Sequence, residues 1–527
     1  MDRERKEQRT FKTTDTDTHV TSFPDDRLYA TQNMYEKSTE KGVLQPIPGV
    51  TAAAANLATS THIRALGIYV PATAPPLVEY TVIICNMSSG VDKCRVFTTS
   101  SKGATNTVYE MDSGAFTATG SDYEIVSYSI STTYASAFIA NGVDPIKVLE
   151  GGDPFVLANA AGSNAPPRGK HIIVYNNRLF VANYPADATY TTADGNKAWY
   201  SNILTTNFAS TNYIQVGDSG DGDEITGFGV LASGAGETVS TSLLIFKKYS
   251  IWILNGDPIG SDTILDRLQA PTGTDMAKTI KSTEVGVIYT GTDGHVYLVS
   301  PEGRVTDISI GVSSITTTID HTYGNAVVHD GFYKLFLGQT GGEMWFNFSN
   351  PQNYIWTGSH ARGGFESSLR GRDGTLFLAG TSRAWYEDST SFVDRSGNTL
   401  LRVIGGAFTE PWGVEKVPDL LGIKLRTNAT TLTTTLKSGD SADGPYTGTG
   451  GYSSTVIGTV PFSQRKIFTF EQANVPEFVY WDLASHRGKE IVWQLSMLPT
   501  AIVKFYGVEI EYLIPKQAKE TVRNVPT

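Results

Sequence analysis

Five times in this sequence an apolar run meets a two-residue turn and resumes as a second apolar run. "HIIVYNNRLFVAN" turns at Asn176–Asn177, "LLIFKKYSIWILNGD" at Lys247–Lys248 and "GVIYTGTDGHVYLVS" at Asp293–Gly294. "AVVHDGFYKLFLG" turns at Asp330–Gly331, and "SLRGRDGTLFLAG" at Asp373–Gly374. Asn and Asp-Gly pairs suit such turns because they tolerate positive φ. Successive turns from Lys248 onward lie 45, 37 and 43 residues apart. A hairpin returning at that interval is the period of a β-propeller blade, four strands in roughly 40–50 residues. Weaker members lie upstream at Ser89–Gly90 and Asn141–Gly142. The interval from Asn177 to Lys248 is 71 residues, which predicts an insertion there. The count implies six or seven blades over residues 60–398.

Composition agrees with an all-β chain. Branched and aromatic residues fit a pleated surface, and 52 glycines supply turns. At 527 residues the chain is too long for one ordinary domain. After residue 398 the hairpin theme gives way to strand-like runs with longer polar loops, "KIFTFEQ", "EFVYWDLAS", "IVWQLSM" and "VKFYGVEIEYLI" among them. Residues 399–515 therefore read as a β-sandwich, 516–527 as a polar tail, and 1–59 as an N-terminal arm and lead-in segment. "MDRERKEQR" is dense in charge of both signs and reads as a solvated arm.

Formal net charge is −11, and no internal basic run offers a phosphate-binding surface. The N-terminus has no apolar signal segment, and no apolar run reaches 18 residues. Two cysteines, Cys85 and Cys94, cannot build a zinc site alone; a bridge between neighbouring strands stays open.

The strongest candidate for chemistry is "VGDSGDGDEITGFGVL", which places Asp218, Asp221, Asp223 and Glu224 within seven residues. An EF-hand loop fails from Asp218, because Gly220 takes the third position. It fails from Asp221, because Ile225 takes the fifth. A turn leading into a strand is the preferred reading. His19, His62, His171, His295, His321, His329, His360 and His486 form no metal-binding spacing. Glu284, Asp293, Asp330 and Asp373 are candidates for a glycosidase pair but mostly occupy turn positions. Trp199, Trp252, Trp345 and Trp385 could line a sugar-binding surface; filling the wedges between blades is the preferred role. No catalytic, cofactor-binding or metal residue is assigned, and no cofactor is expected.

Several short motifs occur in a telling order. "RLYATQNMYEKSTEKGVLQPIPGV" is followed by "HIRALGIYV", "NGVDPIKV", "NNRLFVAN", "WYSN", "DGDEITGF" and "LLIFKKYSIWILNGD". This string, over residues 27–257, resembles the propeller-bearing tail hub, nozzle or stabilisation proteins of short-tailed bacteriophages. The resemblance implies a non-enzymatic virion structural protein, assembled in host cytoplasm into a ring, usually of six copies. That ring sits below the portal and adaptor, beside tail fibre or spike proteins. It extends the DNA channel and closes it until ejection, meeting the host envelope only during infection. Genome DNA passes through without specific binding. The alternatives are a tail protein that binds a host glycan and a propeller glycosidase, which needs two facing carboxylates about 5–10 Å apart.

Overall fold

The computed structural model is built almost entirely of strands. It describes residues 2–8, 28, 30–36, 43–53, 60–71, 79–87, 92–99, 108–111, 116–117, 122–131, 134–151, 155–160, 164–185, 193–218, 220–233, 240–339, 342–347, 355–358, 364–380 and 383–400, then the strands between 402 and 514. The chain divides into two compact units. One comprises Pro48–Gln352 and Ser359–Asn398; the other comprises Met1–Ile47, Asn353–Gly358 and Thr399–Thr527.

The first unit is a seven-bladed β-propeller, at the upper end of the expected count. Its inner strands, blade by blade, are Ser60–Tyr69, Glu124–Ser131, His171–Tyr175, Ile225–Ser233, Lys281–Thr283, Asn325–His329 and Ser367–Arg370. Each blade is an antiparallel meander running outward from that strand. Inner strands of successive blades touch around the axis, and the seventh meets the first. The seventh blade takes its outermost strand from the start of the unit: Gly49–Ala52 pairs with Arg383–Asp388, Val50 opposite Glu387. The lead-in read as ending at residue 59 thus contains the strand that closes the ring.

The cores lie between blades. Val82, Ile84 and Val96 of the first blade pack with Ala137, Ile139 and Leu149 of the second. Phe97 of the first blade meets Phe377 of the seventh edge-on, ring centroids 5.8 Å apart. Such apolar wedges hold neighbours together where no backbone ladder joins their sheets, each buried aromatic contributing about 2–3 kcal/mol.

The turns explain the uneven spacing. Asn176–Asn177 and Asp330–Gly331 join first to second strands, and all four residues have positive φ. Lys247–Lys248 and the Asp293–Gly294 turn join second to third strands. The 71-residue interval therefore runs from a first-to-second turn in one blade to a second-to-third turn in the next, which is one blade period plus one further strand. Cys85 and Cys94 sit on paired strands but one residue out of register, Cys85 opposite Lys93 and Cys94 opposite Ile84. Cys94 is a buried free thiol.

The second unit contains two antiparallel sheets, the makings of a sandwich, and it is discontinuous in sequence. One runs Ala30–Gln32, Arg402–Thr409, Glu490–Met497, Thr431–Gly439, Ser453–Pro461. The other contains Met34–Glu36, Leu44–Pro46, Phe505–Ile514, Asp419–Thr427 and Glu477–Arg487. Asp2–Gln8, read as a solvated arm, pairs with Phe505–Ile514 instead, Arg5 opposite Glu511. Ladder hydrogen bonds come from the backbone, so a polar strand can still cover a sheet edge. The polar tail at 516–527 lies outside the described residues.

Candidate functional site

The acidic stretch joins the third blade, which ends at Gln215, to the fourth, which begins at Ile225. Its carboxylates diverge. Asp221 accepts hydrogen bonds from Lys247 Nζ at 2.8 Å, Asn196 Nδ2 at 3.0 Å and the Asp223 N–H at 2.8 Å. Asp223 accepts from the Tyr249 N–H at 2.8 Å and the Ser250 hydroxyl at 2.7 Å. Glu224 accepts from Asn183 Nδ2 at 3.3 Å. Gly217, Gly220 and Gly222 all have positive φ, which lets the chain turn so tightly. Among the described residues no His, Cys, Asp and Glu group is placed to hold a metal ion.

This linker is a clasp on the buried Lys247, which is 1% exposed. Burial pushes the Asp221 carboxyl up, but the bonds from Lys247, the Asp223 N–H and Asn196 outweigh it and hold it below the usual range. Its stabilisation is full above about pH 4 and is lost as pH falls through the depressed value. Asp221→Asn is expected to cost about 2 kcal/mol at pH 7. In acid melts, the gap between variant and parent should close below about pH 4.

The other sequence candidates separate. Asp293 accepts from the His295 N–H and the Tyr297 hydroxyl, at 3.1 and 2.7 Å. Asp373 accepts from the backbone and hydroxyl of Thr375, at 2.9 and 2.7 Å. Glu284, Asp330 and Asp373 sit in turns between first and second strands, Asp293 in a turn between second and third. Those turns open on opposite faces of a propeller, so Asp293 does not face the others. Trp199, Trp345 and Trp385 are buried in the blades. Trp252 is half-buried beside Leu254 and Ile245, so these four do not form an exposed platform.

The most concentrated polar chemistry is at one mouth of the propeller axis. His171 Nδ1 lies 2.7 Å from Glu124 Oε1, and Glu124 Oε2 accepts the Ile172 N–H at 2.8 Å. His321 Nδ1 lies 2.9 Å from Asp275, and His62 Nδ1 lies 2.9 Å from Glu366, to which Gln339 also donates at 2.6 Å. Each pair ties segments leading into different blades. Lys278 donates to Asp122 at 3.1 Å. Asp122 precedes the inner strand of the second blade and Lys278 that of the fifth, so this pair bars the mouth. Burial raises the Asp122 carboxyl, but Lys278, Lys170 and Arg64 outweigh it and hold it below the usual range.

Beneath this rim a cavity of about 210 Å3 is lined by the inner strands, with Leu66, Ile125, Ile172, Phe228 and Lys281 on its wall. No neighbouring carboxylate pair stands free to act as acid and base there, because Glu124 is engaged on both oxygens. No local pattern in the sequence marks this rim. Its partners are 46, 47 and 304 residues apart, so the stacking of neighbouring blades, and for His62 and Glu366 the closure of the ring, brings them together. His19 and His360 lie outside the described residues.

No family model matches the chain, and no curated protein matches it. Among solved structures it is similar to BBS1N in its complex with ARL6DN, at 11% identity and a TM-score of 0.37, covering 66% of this chain and 99% of that one. It is also similar to the WD40 β-propeller domain of Doa1, at 9% identity and a TM-score of 0.39, covering 64% and 96%.

Proposed function

We propose that the chain is a subunit of a ring in the tail of a short-tailed bacteriophage, a structural protein that extends and gates the DNA-ejection channel. The observation that carries this reading is how the ordered motifs meet in space. Arg178 of "NNRLFVAN" donates to the Ser201 carbonyl of "WYSN" at 3.0 Å and to Asp257 of "ILNGD" at 3.2 Å. Asp221 and Asp223 of "DGDEITGF" hold Lys247 and Ser250 of "IFKKYSIW". Motifs scattered over some eighty residues are thus parts of one interlocked frame, which favours a shared architecture over chance matches. A frame of this kind acts by shape and interfaces.

The DNA path in this reading runs between copies. A cavity of about 210 Å3 barred by Asp122 and Lys278 is suited to a small molecule. The ring places the duplex in a lumen at the centre of six subunits, with closed symmetry fixing their number. A net charge of −11 per chain suits a wall past which phosphates slide without sticking. Adaptor, portal and fibre or spike proteins are its partners, and the virion tail is its location.

Mass photometry of the purified chain, alone and mixed with phage tail cores, tests this. A hexamer, a pair of hexamers, or a ring that forms only on the cores is the expected result. A chain monomeric under both conditions, or a monomer that cleaves glycans, overturns it.

A further inference from the structure

The wall of the axial cavity carries a cation with nothing to pair with. Lys281 begins the inner strand of the fifth blade and lines the cavity. Its backbone pairs with Ile288, but its ammonium has no hydrogen-bond partner among the described residues. Of the charged groups that line the same cavity, Lys278 and Glu124 are already engaged. Lys278 is bound to Asp122 at 3.1 Å, and both oxygens of Glu124 are taken by His171 and the Ile172 N–H. Most of the surrounding wall is apolar, with Leu66, Ile125, Ile172 and Phe228 from the first four blades. An ammonium partly withdrawn from water and bonded to no anion is costly. Burial pushes Lys281 down to about 8, opposed by Glu124 and reinforced by Lys278.

We propose that this cavity is a binding site for a small organic carboxylate, its carboxyl paired with Lys281 and its apolar body against Leu66, Ile125, Ile172 and Phe228. The space is sufficient: a dry protein cavity of about 150 Å3 takes up benzene, and this one measures about 210 Å3. An inorganic anion would leave the apolar wall unfilled, and a neutral hydrocarbon would leave the ammonium unpaired. A single carboxylate on a body of benzene size answers both. The Asp122–Lys278 pair stands at the mouth, so access from that side requires it to open.

Titration calorimetry of the full-length chain with benzoate tests the site. Saturable one-to-one binding is expected, at least tenfold weaker for Lys281→Met and largely retained by Lys281→Arg. Benzyl alcohol, equal in shape but uncharged, is expected to bind at least tenfold more weakly than benzoate. On the unaltered chain, affinity should fall as pH rises past about 8, where Lys281 loses its proton. Glu124, Lys278, His171, Asp122, Lys170, Asp275 and His321 face the same region, and Arg64 lies close to Asp122; of the cations among them, Lys281 and Lys278 line the cavity itself, and Lys278 is bound to Asp122. Absence of saturable binding by benzoate, equal binding by Lys281→Met, or equal binding of benzyl alcohol overturns the proposal. The pH series uses no variant, so it holds even if Lys281→Met folds poorly.

Discussion

Lys334→Met is expected to destabilise the propeller by about 3–5 kcal/mol at pH 8, the cost of breaking a buried ion pair by removing one member. Lys334, in the second strand of the sixth blade, is 1% exposed. Its ammonium donates to both oxygens of Glu387 in the seventh blade, each at 2.9 Å, and Glu387's side chain is only 6% exposed. It also lies 3.7 Å from the centre of the Trp345 ring, a cation–π contact. Methionine replaces the stem but removes the ammonium that holds both oxygens of Glu387. His329 adds a pH signature. Burial, and then the Lys334 charge, hold its imidazole below the ordinary value, opposed by Glu387 and Asp330. A histidine depressed in this way contributes stability that is present above about pH 6.5 and lost as pH falls below it. Without Lys334 the imidazole can accept a proton near Glu387 and take over part of the lysine's role. The deficit of the variant should therefore shrink from pH 8 to pH 5. Denaturant melts at the two pH values measure this. A deficit equal at both would mean that His329 takes no part in the cluster.

Gly286→Ala is expected to cost more than about 3 kcal/mol, enough to leave much of the fifth blade unformed at physiological temperature. Gly286 has φ of +138°. A Cβ added there would lie 2.1 Å from the Val299 carbonyl oxygen and 3.1 Å from Leu298 Cδ1. The carbonyl belongs to the paired third strand, where Val287 faces Val299, so retreat would open the ladder. Gly331 provides the comparison. Its φ is +78°, and nothing stands within 4 Å of the point a methyl group would occupy. Gly331→Ala should cost only about 1 kcal/mol, the left-handed penalty alone. Thermal melts of the two variants, side by side, separate collision from backbone preference. Equal losses would contradict the geometry around Gly286.

Turn chemistry made the blades legible in the sequence, because Asn-Asn and Asp-Gly pairs have few other uses between apolar runs. The strand-rich composition followed from the same local signals. What stayed hidden was non-local. Gly49–Ala52 is too short to stand out as a strand, and its partner is more than three hundred residues away. Asp2–Gln8 was concealed by its charges, because an edge strand needs only a free backbone to pair with. The 71-residue interval misled because hairpins at two different blade positions look alike as sequence. The acidic linker was read correctly as a turn, since its glycines recur at the positions that require positive φ. Its hold on Lys247 could not be foreseen, as nothing in "FKKYS" says which lysine is buried.

The loan of Gly49–Ala52 to the last blade also sets a clock. Thr51 donates a hydrogen bond to Asp388 at 3.0 Å, across a separation of 337 residues. At synthesis rates of about 5–20 residues per second, the early strand waits roughly 20–70 s before its partner leaves the ribosome. Throughout that time six blades can stack in order, yet the circle stays open and the strand's backbone groups remain without their ladder. Closure of the propeller thus needs a late clasp that joins one of its oldest pieces to one of its newest.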